Sequence, residues 1–202
     1  MGAAFFCIIN SRSDSAIDYQ NTVIRSDVIR TLGITPTVAE GRIWASGIIY
    51  DQINQVTGAE ISLGAVALDS AMLTEISGAQ TDGGFTISRT NDIEKEFAFG
   101  YWGENRDGTK TFFWHPVCKL TPGEESKETR NDDVPNPEKS YTITVIPFGH
   151  ILTVKYDQGQ AMEAGHKPLE VNSFFQRPLC SIDDVKLLTQ QSTGTGGYTD
   201  EV

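Results

Sequence analysis

The stretch YDQINQVTGAEISLGAVAL, residues 50–68, decides the fold because apolar and polar side chains alternate along most of it. A period of two is the repeat of a β-strand, whose successive side chains point to opposite faces of a sheet. The alternation predicts one long strand, with a bulge at Gly58. One predicted face carries Ile53, Gln55, Thr57, Ala59, Ile61 and Leu63, and the other carries Asn54, Val56, Gly58, Glu60 and Ser62.

The segments on either side of this strand carry their own signals. Upstream, β-branched and aromatic residues at 23–32 and 41–50 predict two further strands, joined by a turn at ITPT, residues 34–37. Downstream, Asp69 is a typical helix N-cap, apolar residues follow it at helical spacing, and Gly78 stands where a helix end favours glycine. One short helix is therefore expected over residues 69–77.

Much of the second half of the chain also has the pattern of strands. Strands are predicted at 85–88, 94–102, 109–120, 141–147 and 151–156, with a hairpin turn at Asp107-Gly108. In the second of these strands, Phe97, Phe99 and Tyr101 share the face that we expect in the core. The predicted fold class is mainly β, a sandwich or small barrel of about seven or more strands with one short flanking α-helix.

Three segments are expected to extend from this β domain, which spans residues 23–156. Residues 1–22 lack a sustained period and predict an N-terminal arm. Residues 121–139 hold six acids, three bases and three prolines, which predicts an exposed acidic loop. Residues 157–202 predict a C-terminal extension: residues 171–188 are apolar enough to dock, and the glycine-rich end is expected to be a flexible tail.

Charge and cysteine content narrow the classes of function. With 16 Lys and Arg against 27 Asp and Glu, the net charge of −11 argues against wrapping around nucleic acid, but an acidic wall would let DNA slide past. Cys7, Cys118 and Cys180 are widely spaced and expected to be reduced thiols. The apolar run at 3–9 is too short for a membrane span and lacks a basic leader, so intracellular synthesis is expected.

The sequence contains no pattern typical of a catalytic, cofactor or metal site. His115, His150 and His166 lack the spacing that places metal ligands on one helical face. The glycine-rich residues 194–197 lack the lysine of a phosphate loop, and the paired acids at 124–125 and 132–133 lack the register of a calcium loop. We therefore predict that the chain is not an enzyme and needs no cofactor.

The sequence predicts more strand and more extended segments than a compact monomer of this length requires. A long alternating strand, an N-terminal arm, an acidic loop and a C-terminal tail exceed what a monomer of 202 residues needs. Unpaired strand edges either aggregate or are completed by neighbouring subunits. Polymerisation into a closed ring is the productive outcome, which predicts a homo-oligomer.

Several of these segments together resemble the major tail proteins, or tail tube proteins, of long-tailed bacteriophages of the siphophage type. The resemblance covers about residues 25–155 and concerns composition and order. The segments that carry it are GITPTVAEG at 33–41, IWA at 43–45, NQVTGAEI at 54–61, FGYW at 99–102, the turn at 107–108, FWHPVCKL at 113–120 and the acidic loop after it. The apolar residues 3–9 depart from the family, whose members usually begin with a polar strand.

The resemblance implies a structural virion protein with a tail-tube-type β-sandwich or barrel and extended arms. In that family, six copies form a ring, long strands line the channel as a continuous β-barrel, and rings stack into the tube that delivers DNA. Tape measure, tail terminator and distal tail proteins are the implied partners, and DNA passes without specific binding. Assembly in the host bacterial cytoplasm and location in the virion tail are implied too, with no membrane contact.

Carried onto this sequence, the resemblance makes the strands at 41–68 candidates for the channel wall. It also makes the loop at 121–139 a candidate for contact between rings. The candidate channel residues are Arg42, Asp51, Gln52, Asn54 and Glu60. The candidate inter-ring residues are Glu124, Glu125, Glu128, Asp132 and Asp133. An acidic channel would repel DNA phosphates and lower friction.

A second hypothesis belongs to another class of protein. A β-sandwich that binds carbohydrate or a receptor would use exposed aromatic rings to stack on sugars, and Trp44, Tyr50 and Trp102 are the candidates. The same rings could equally belong to the core.

Overall fold

A computed structural model describes residues 3–45, 48–121 and 139–193 of the chain. The strands are β1 (Ala4–Arg12), β2 (Ile17–Tyr19), β3 (Ile24–Ser26), β4 (Ile29–Ala45), β5 (Ile48–Ala65), β6 (Gln80–Asp82), β7 (Phe85–Ile87), β8 (Phe97–Glu104), β9 (Lys110–Thr121), β10 (Lys139–Val145) and β11 (Val154–Asp157). The helices are α1 (Ser70–Ser77), α2 (Gln158–Glu163), α3 (Val171–Phe174) and α4 (Ile182–Thr193). The fold is mainly β, with a large antiparallel sheet and a few short helices.

Nine of the strands form one sheet, and β6 and β7 form a separate two-stranded hairpin. The order across the large sheet is β2-β1-β8-β9-β10-β5-β4, with β3 beside β1 and β11 beside β9. All of its pairings are antiparallel. The strand β4 lies at one end of this order, so it is an edge strand.

One face of the sheet encloses the larger core cluster. Phe6 on β1, Phe99 on β8, Leu120 on β9 and Ile61 on β5 are all buried in it. Because strands far apart in the sheet order contribute to the same cluster, the sheet curves around it. The helix α1 closes the cluster through Met72 and Ile76.

The opposite face of β1, β8 and β9 is covered by the C-terminal segment. Phe175 stacks on Phe5 with 3.9 Å between ring centroids, and the indole Nε1 of Trp114 donates a hydrogen bond to the carbonyl of Phe174 at 3.3 Å. Leu179 and Leu188 are buried in the same cluster. The prediction that residues 171–188 dock on the domain is confirmed.

Gly100 on β8 makes this aromatic packing possible. A Cβ at residue 100 would lie 2.8 Å from a ring carbon of Phe175 and 2.8 Å from one of Trp114. We expect Gly100→Ala to lower the free energy of unfolding by about 1–3 kcal/mol, because buried rings have little room to move. The urea midpoint should fall at unchanged slope, whereas Gly103→Ala on the same strand, with nothing within 4 Å, should show no comparable loss.

The strand β9 contributes buried side chains to both core clusters, because a bulge reverses which of its residues point to each face of the sheet. The register passes from Phe97 opposite Cys118 to Phe99 opposite His115, so β9 holds one extra residue between these two pairs. As a result, Phe112 and Trp114 lie in the C-terminal cluster while Cys118 and Leu120 lie in the larger one. Pro116 falls within the bulge, where a residue without an N–H is tolerated.

The predicted helix is confirmed in position and in both of its caps. The Asp69 carboxylate accepts a hydrogen bond from the Ala71 N–H at 2.8 Å. Gly78 has a φ of 73° and donates its N–H to the Glu75 carbonyl, as a left-handed C-terminal cap does. The strands predicted in the second half of the chain and the hairpin at Asp107-Gly108 also form, with small shifts in their ends.

The N-terminal arm predicted for residues 1–22 is corrected by the structure. Residues 4–12 form β1, which pairs with β8 on one side and with β2 and β3 on the other. Its apolar run is buried because the larger core lies on one face and the C-terminal segment on the other. A strand covered on both faces shows a continuous apolar run without alternation.

The predicted turn at 34–37 is also wrong, because β4 passes through it without interruption. Pro36 is accommodated since β4 is an edge strand, on which an N–H can face outwards. The chain reverses later, between Ala45 and Ile48. The prediction of one helix was incomplete, since α2, α3 and α4 follow residue 157. The acidic loop at 122–138 and the tail at 194–202 lie outside the described residues.

Candidate assembly surface

A two-stranded ribbon extends from the sheet and is formed by residues 37–45 of β4 and 48–57 of β5. The strand β10 pairs with β5 from Lys139 opposite Ala65 to Val145 opposite Ala59, and its pairing stops there. Towards the tip, β5 is paired with β4 as far as Ile48 opposite Ala45. At about 3.3 Å per residue, the ribbon is roughly 30 Å long.

A bulge at the base of the ribbon decides which side chains share a face. Thr37 lies opposite Gly58, and the next residue, Val38, lies opposite Val56, so Thr57 is the extra residue. A Cβ at residue 58 would lie 3.2 Å from the Val145 carbonyl oxygen, which shows how closely β10 approaches here. The alternation of β5 therefore reverses, and Ile53 and Gln55 lie on the opposite face from Ala59 and Ile61.

The two faces of the ribbon differ in composition. The inner face, which continues the core side of the sheet, carries Val38, Glu40, Arg42, Gln52, Asn54 and Val56. The outer face carries Ala39, Gly41, Ile43, Asp51, Ile53 and Gln55. Contacts between alternate side chains agree with this division: Arg42 pairs with Glu40 at 3.5 Å, and Nε2 of Gln52 donates a hydrogen bond to Oδ1 of Asn54 at 3.2 Å.

The ribbon exposes large apolar side chains on both faces. Val38 and Val56, an opposed pair on the inner face, are 45% and 53% exposed. Ile43 and Ile53 on the outer face are 48% and 55% exposed, and Tyr50 near the tip is exposed too. Exposed apolar side chains grouped in this way are typical of surfaces that take part in contacts with other molecules.

Below the ribbon, the sheet presents a hydroxyl-rich face on the side away from the core. One row across four strands consists of Thr35, Glu60, Thr144 and Lys119, and the next consists of Gly33, Ser62, Thr142 and Thr121. Five of these eight residues bear hydroxyl groups. We call these two rows the hydroxyl face, and they hold no large apolar side chain that would need a cover.

The structure divides the candidate channel residues between the two sides of the sheet. Glu60 lies on the hydroxyl face, and Asp51 lies on the outer face of the ribbon that continues it. Arg42, Gln52 and Asn54 lie on the inner face. The candidate inter-ring residues Glu124, Glu125, Glu128, Asp132 and Asp133 fall outside the described residues.

The β6–β7 hairpin is an exposed apolar surface that the sequence analysis did not single out. Phe85 and Ile87 are 76% and 53% exposed. Both turn residues, Gly83 and Gly84, have positive φ, as a two-residue hairpin turn requires. That glycine pair next to an alternating FTI segment is the signal that could have identified the hairpin.

The aromatic residues proposed for sugar stacking differ in how far their rings are exposed. Tyr50 is well exposed, but Trp102 is partly buried and its ring face is occupied by the Lys110 ammonium, 4.9 Å from the ring centroid. The Trp44 side chain lies outside the described part of the chain. Among the described side chains, Tyr50 is the one of the three candidates that offers a well-exposed ring.

Groups with catalytic potential are few in the described segments. Within residues 3–45, 48–121 and 139–193, no three His, Cys, Asp or Glu side chains converge as a metal site would require. One surface depression, between β2 and the C-terminal segment, contains Cys180, whose thiol donates to the Asp184 carboxylate at 3.4 Å. Burial raises the pKa of Cys180 to about 11, so it is a neutral thiol at physiological pH.

His115 is a buried structural residue of β9. Its Nδ1 lies 3.1 Å from the Leu152 carbonyl and 3.0 Å from the Thr153 hydroxyl, and its ring stacks on Tyr101 at 6.0 Å. Its Nε2 is buried without a hydrogen-bond partner among the described residues. Burial lowers the pKa of His115, although the Leu152 carbonyl partly opposes this effect.

We expect this histidine to make the free energy of unfolding depend on pH. Because the folded-state pKa lies below the ordinary value of about 6.5, the unfolded chain binds the proton more readily. Stability should be complete above that value and decline as the pH falls below it. Urea titrations between neutral and mildly acidic pH should show a smaller decline for His115→Gln than for His166→Gln, which changes an exposed histidine. Equal declines would contradict this.

No helix in the described part of the chain combines the length and the apolar character that crossing a membrane requires. The chain matches no family model, and no curated protein matches it significantly. Function is therefore inferred from the geometry of the assembly surface and from the resemblance in sequence.

Proposed function

We propose that this chain is a structural subunit that polymerises into hexameric rings, which stack to form the tail tube of a long-tailed bacteriophage. The observation that carries the proposal is the ribbon, which exposes apolar side chains on both faces over roughly 30 Å. A two-stranded ribbon alone is marginally stable in water, so its neighbours in an assembly would supply the missing contacts. The resemblance in sequence supplies the step from self-assembling subunit to tail.

The outer edge of β4 supports the same proposal. This strand is 17 residues long and occupies the end of the sheet order. An edge strand of this length is a template on which another chain can add a strand through backbone hydrogen bonds. In a closed ring, each copy would extend the sheet of the next, and the wall would have no free edge.

The hydroxyl face is the best candidate for the wall of the channel. It carries hydroxyl and charged side chains and no large apolar one, so it can remain in contact with water in the assembled state. Together with Asp51 on the ribbon, it carries two carboxylates, Asp51 and Glu60, against the single ammonium of Lys119. Such a surface has little affinity for phosphates, which suits DNA that passes without binding.

The family implied by the sequence also supplies the proposed partners and location. A tube of this kind would contact a tape measure protein, a tail terminator and distal tail proteins. The subunit would be made in the host bacterial cytoplasm and would end in the virion tail. None of these roles requires a catalytic residue or a cofactor.

Negative-stain electron microscopy of the purified protein over a range of concentrations tests the proposal. We expect rings or tubes with a central channel, more abundant as concentration rises. A strictly monomeric particle at the highest concentration would overturn it.

Cysteine labelling of the assembled tubes tests which face lines the channel. In a Cys180→Ser background, Thr35→Cys on the hydroxyl face should react with a small maleimide but not with a bulky polymer-linked maleimide. Asn172→Cys, an exposed residue on α3, should react with both. Reaction of Thr35→Cys with the bulky reagent would place the hydroxyl face outside the channel.

A further inference from the structure

The inner face of the ribbon needs a cover in any assembly in which the hydroxyl face of the sheet lines the channel. It continues the core side of the sheet, so in a tube wall it faces away from the channel. Its opposed valines, Val38 and Val56, are about half exposed. Strand pairing along β4 would satisfy the edge of the ribbon but would leave this face in contact with water.

The β6–β7 hairpin is also two-stranded and exposes apolar side chains on one face. Its register places Phe85 opposite Asp82 and Ile87 opposite Gln80, so these four side chains share one face. The other face carries Thr81 and Thr86. We call the face with Phe85 and Ile87 the apolar face of the hairpin and the other its threonine face, and every residue of both strands is exposed.

We propose that the β6–β7 hairpin of one copy packs on the inner face of the ribbon of a neighbouring copy, with Phe85 and Ile87 against Val38 and Val56. This inference rests on the proposed function and identifies the contact by which neighbouring copies cover the ribbon. Both surfaces belong to this chain, so a tube made of one protein contains them in equal numbers. Elsewhere in the described segments, Met162 and Ile182 are exposed on helices, and Val28 and Ile93 are exposed between elements, so none of these four adds to an exposed strand face.

Charge selects the inner face over the outer face as the docking surface. Asp82 stands beside Phe85 on the apolar face of the hairpin. On the inner face of the ribbon, Arg42 and Glu40 form an exposed pair with no net charge, and the Arg42 guanidinium can also donate hydrogen bonds to Asp82. On the outer face, Asp51 stands opposite Ile43 and would repel Asp82.

Disulfide trapping between two variants tests this contact. In a Cys180→Ser background, a Val56→Cys variant is mixed with an Ile87→Cys variant, assembled and oxidised. Only neighbouring copies can join these positions, and a disulfide requires Cα atoms within about 7 Å. We expect a covalent dimer on a non-reducing gel from assembled material, and much less from material diluted to monomers.

Each alternative outcome has its own meaning. Tubes that form without the Val56–Ile87 cross-link would overturn this inference and leave the proposed function intact. Cross-links of Val56→Cys with itself would show ribbon packed on ribbon, and cross-links of Ile87→Cys with Ile53→Cys would place the hairpin on the outer face. Both would overturn the inference. Failure of the wild-type chain to assemble would overturn the proposed function itself.

The energetic test uses single substitutions with a matched control. Phe85→Ser should raise the protein concentration needed for assembly by about tenfold or more, since burial of a phenyl side chain is lost. Ile182→Ser, which also removes an exposed apolar side chain, should leave that concentration unchanged. An equal effect of the two substitutions would overturn the proposal.

Discussion

A chain without its ribbon should fold as a monomer and fail to assemble. Thr37 and Gly58 are opposed at the base of the ribbon, so replacing residues 38–57 with an Asn-Gly turn joins β4 to β5 in their native register. The buried clusters should survive because none of their members lies in the deleted segment. Thermal unfolding should stay within a few degrees of wild type, while rings and tubes disappear.

Sedimentation and negative-stain microscopy of the two chains at the same concentration measure this effect. A second variant, Thr81→Ala in the β6–β7 hairpin, provides a control, since Thr81 is exposed on the threonine face of that hairpin. It should assemble as wild type does. Assembly of the shortened chain would show that the ribbon is not the assembly surface, and loss of its thermal transition would show that the ribbon is part of the folded body.

Local signals in the sequence were sufficient for α1. Asp69 and Gly78 act through contacts within a few residues of the helix, so their roles do not depend on the rest of the fold. The hairpin at Asp107-Gly108 was predictable for the same reason. Gly108 has a φ of 82°, a conformation that glycine adopts without strain.

The faces of the ribbon could be predicted only in part. Alternation along residues 50–68 correctly indicates a long strand, and the predicted bulge at Gly58 is one residue from the observed extra residue, Thr57. Which side chains share a face beyond the bulge depends on the pairing with β4 and on the point where β10 stops pairing with β5. The local alternation of residues 50–68 carries no information about either strand. For this reason Ile53 and Ile61, placed together by parity, lie on opposite faces.

The structure of the two chain ends was harder to predict from the sequence, because each end is buried by the other. The apolar residues at the start of β1 are buried only because the C-terminal segment covers one side of the sheet. Phe5 and Phe175, which stack directly, are separated by most of the chain. No pattern within residues 1–22 indicates that the C-terminal segment will cover them. Their polar second half therefore suggested an arm.

The corrected role of the N-terminus leads to the largest expected effect on stability. Phe6 on β1 is 0% exposed and packs edge-on against Phe99, with 5.2 Å between ring centroids. We expect Phe6→Ala to lower the free energy of unfolding by about 3–5 kcal/mol, since the side chain is lost and a cavity remains. That is a large share of the roughly 5–15 kcal/mol that stabilises a typical domain.

Urea unfolding of monomeric protein compares this variant with Phe85→Ala, which removes the same atoms from a side chain that is 76% exposed. The exposed substitution should change the free energy of unfolding by no more than about 0.5 kcal/mol. Because both variants replace Phe with Ala, a difference in their free energies of unfolding reports the burial of the side chain and not its chemical type. If residues 1–22 were an arm, Phe6→Ala would be as mild as Phe85→Ala, whereas a central strand requires a loss several times larger.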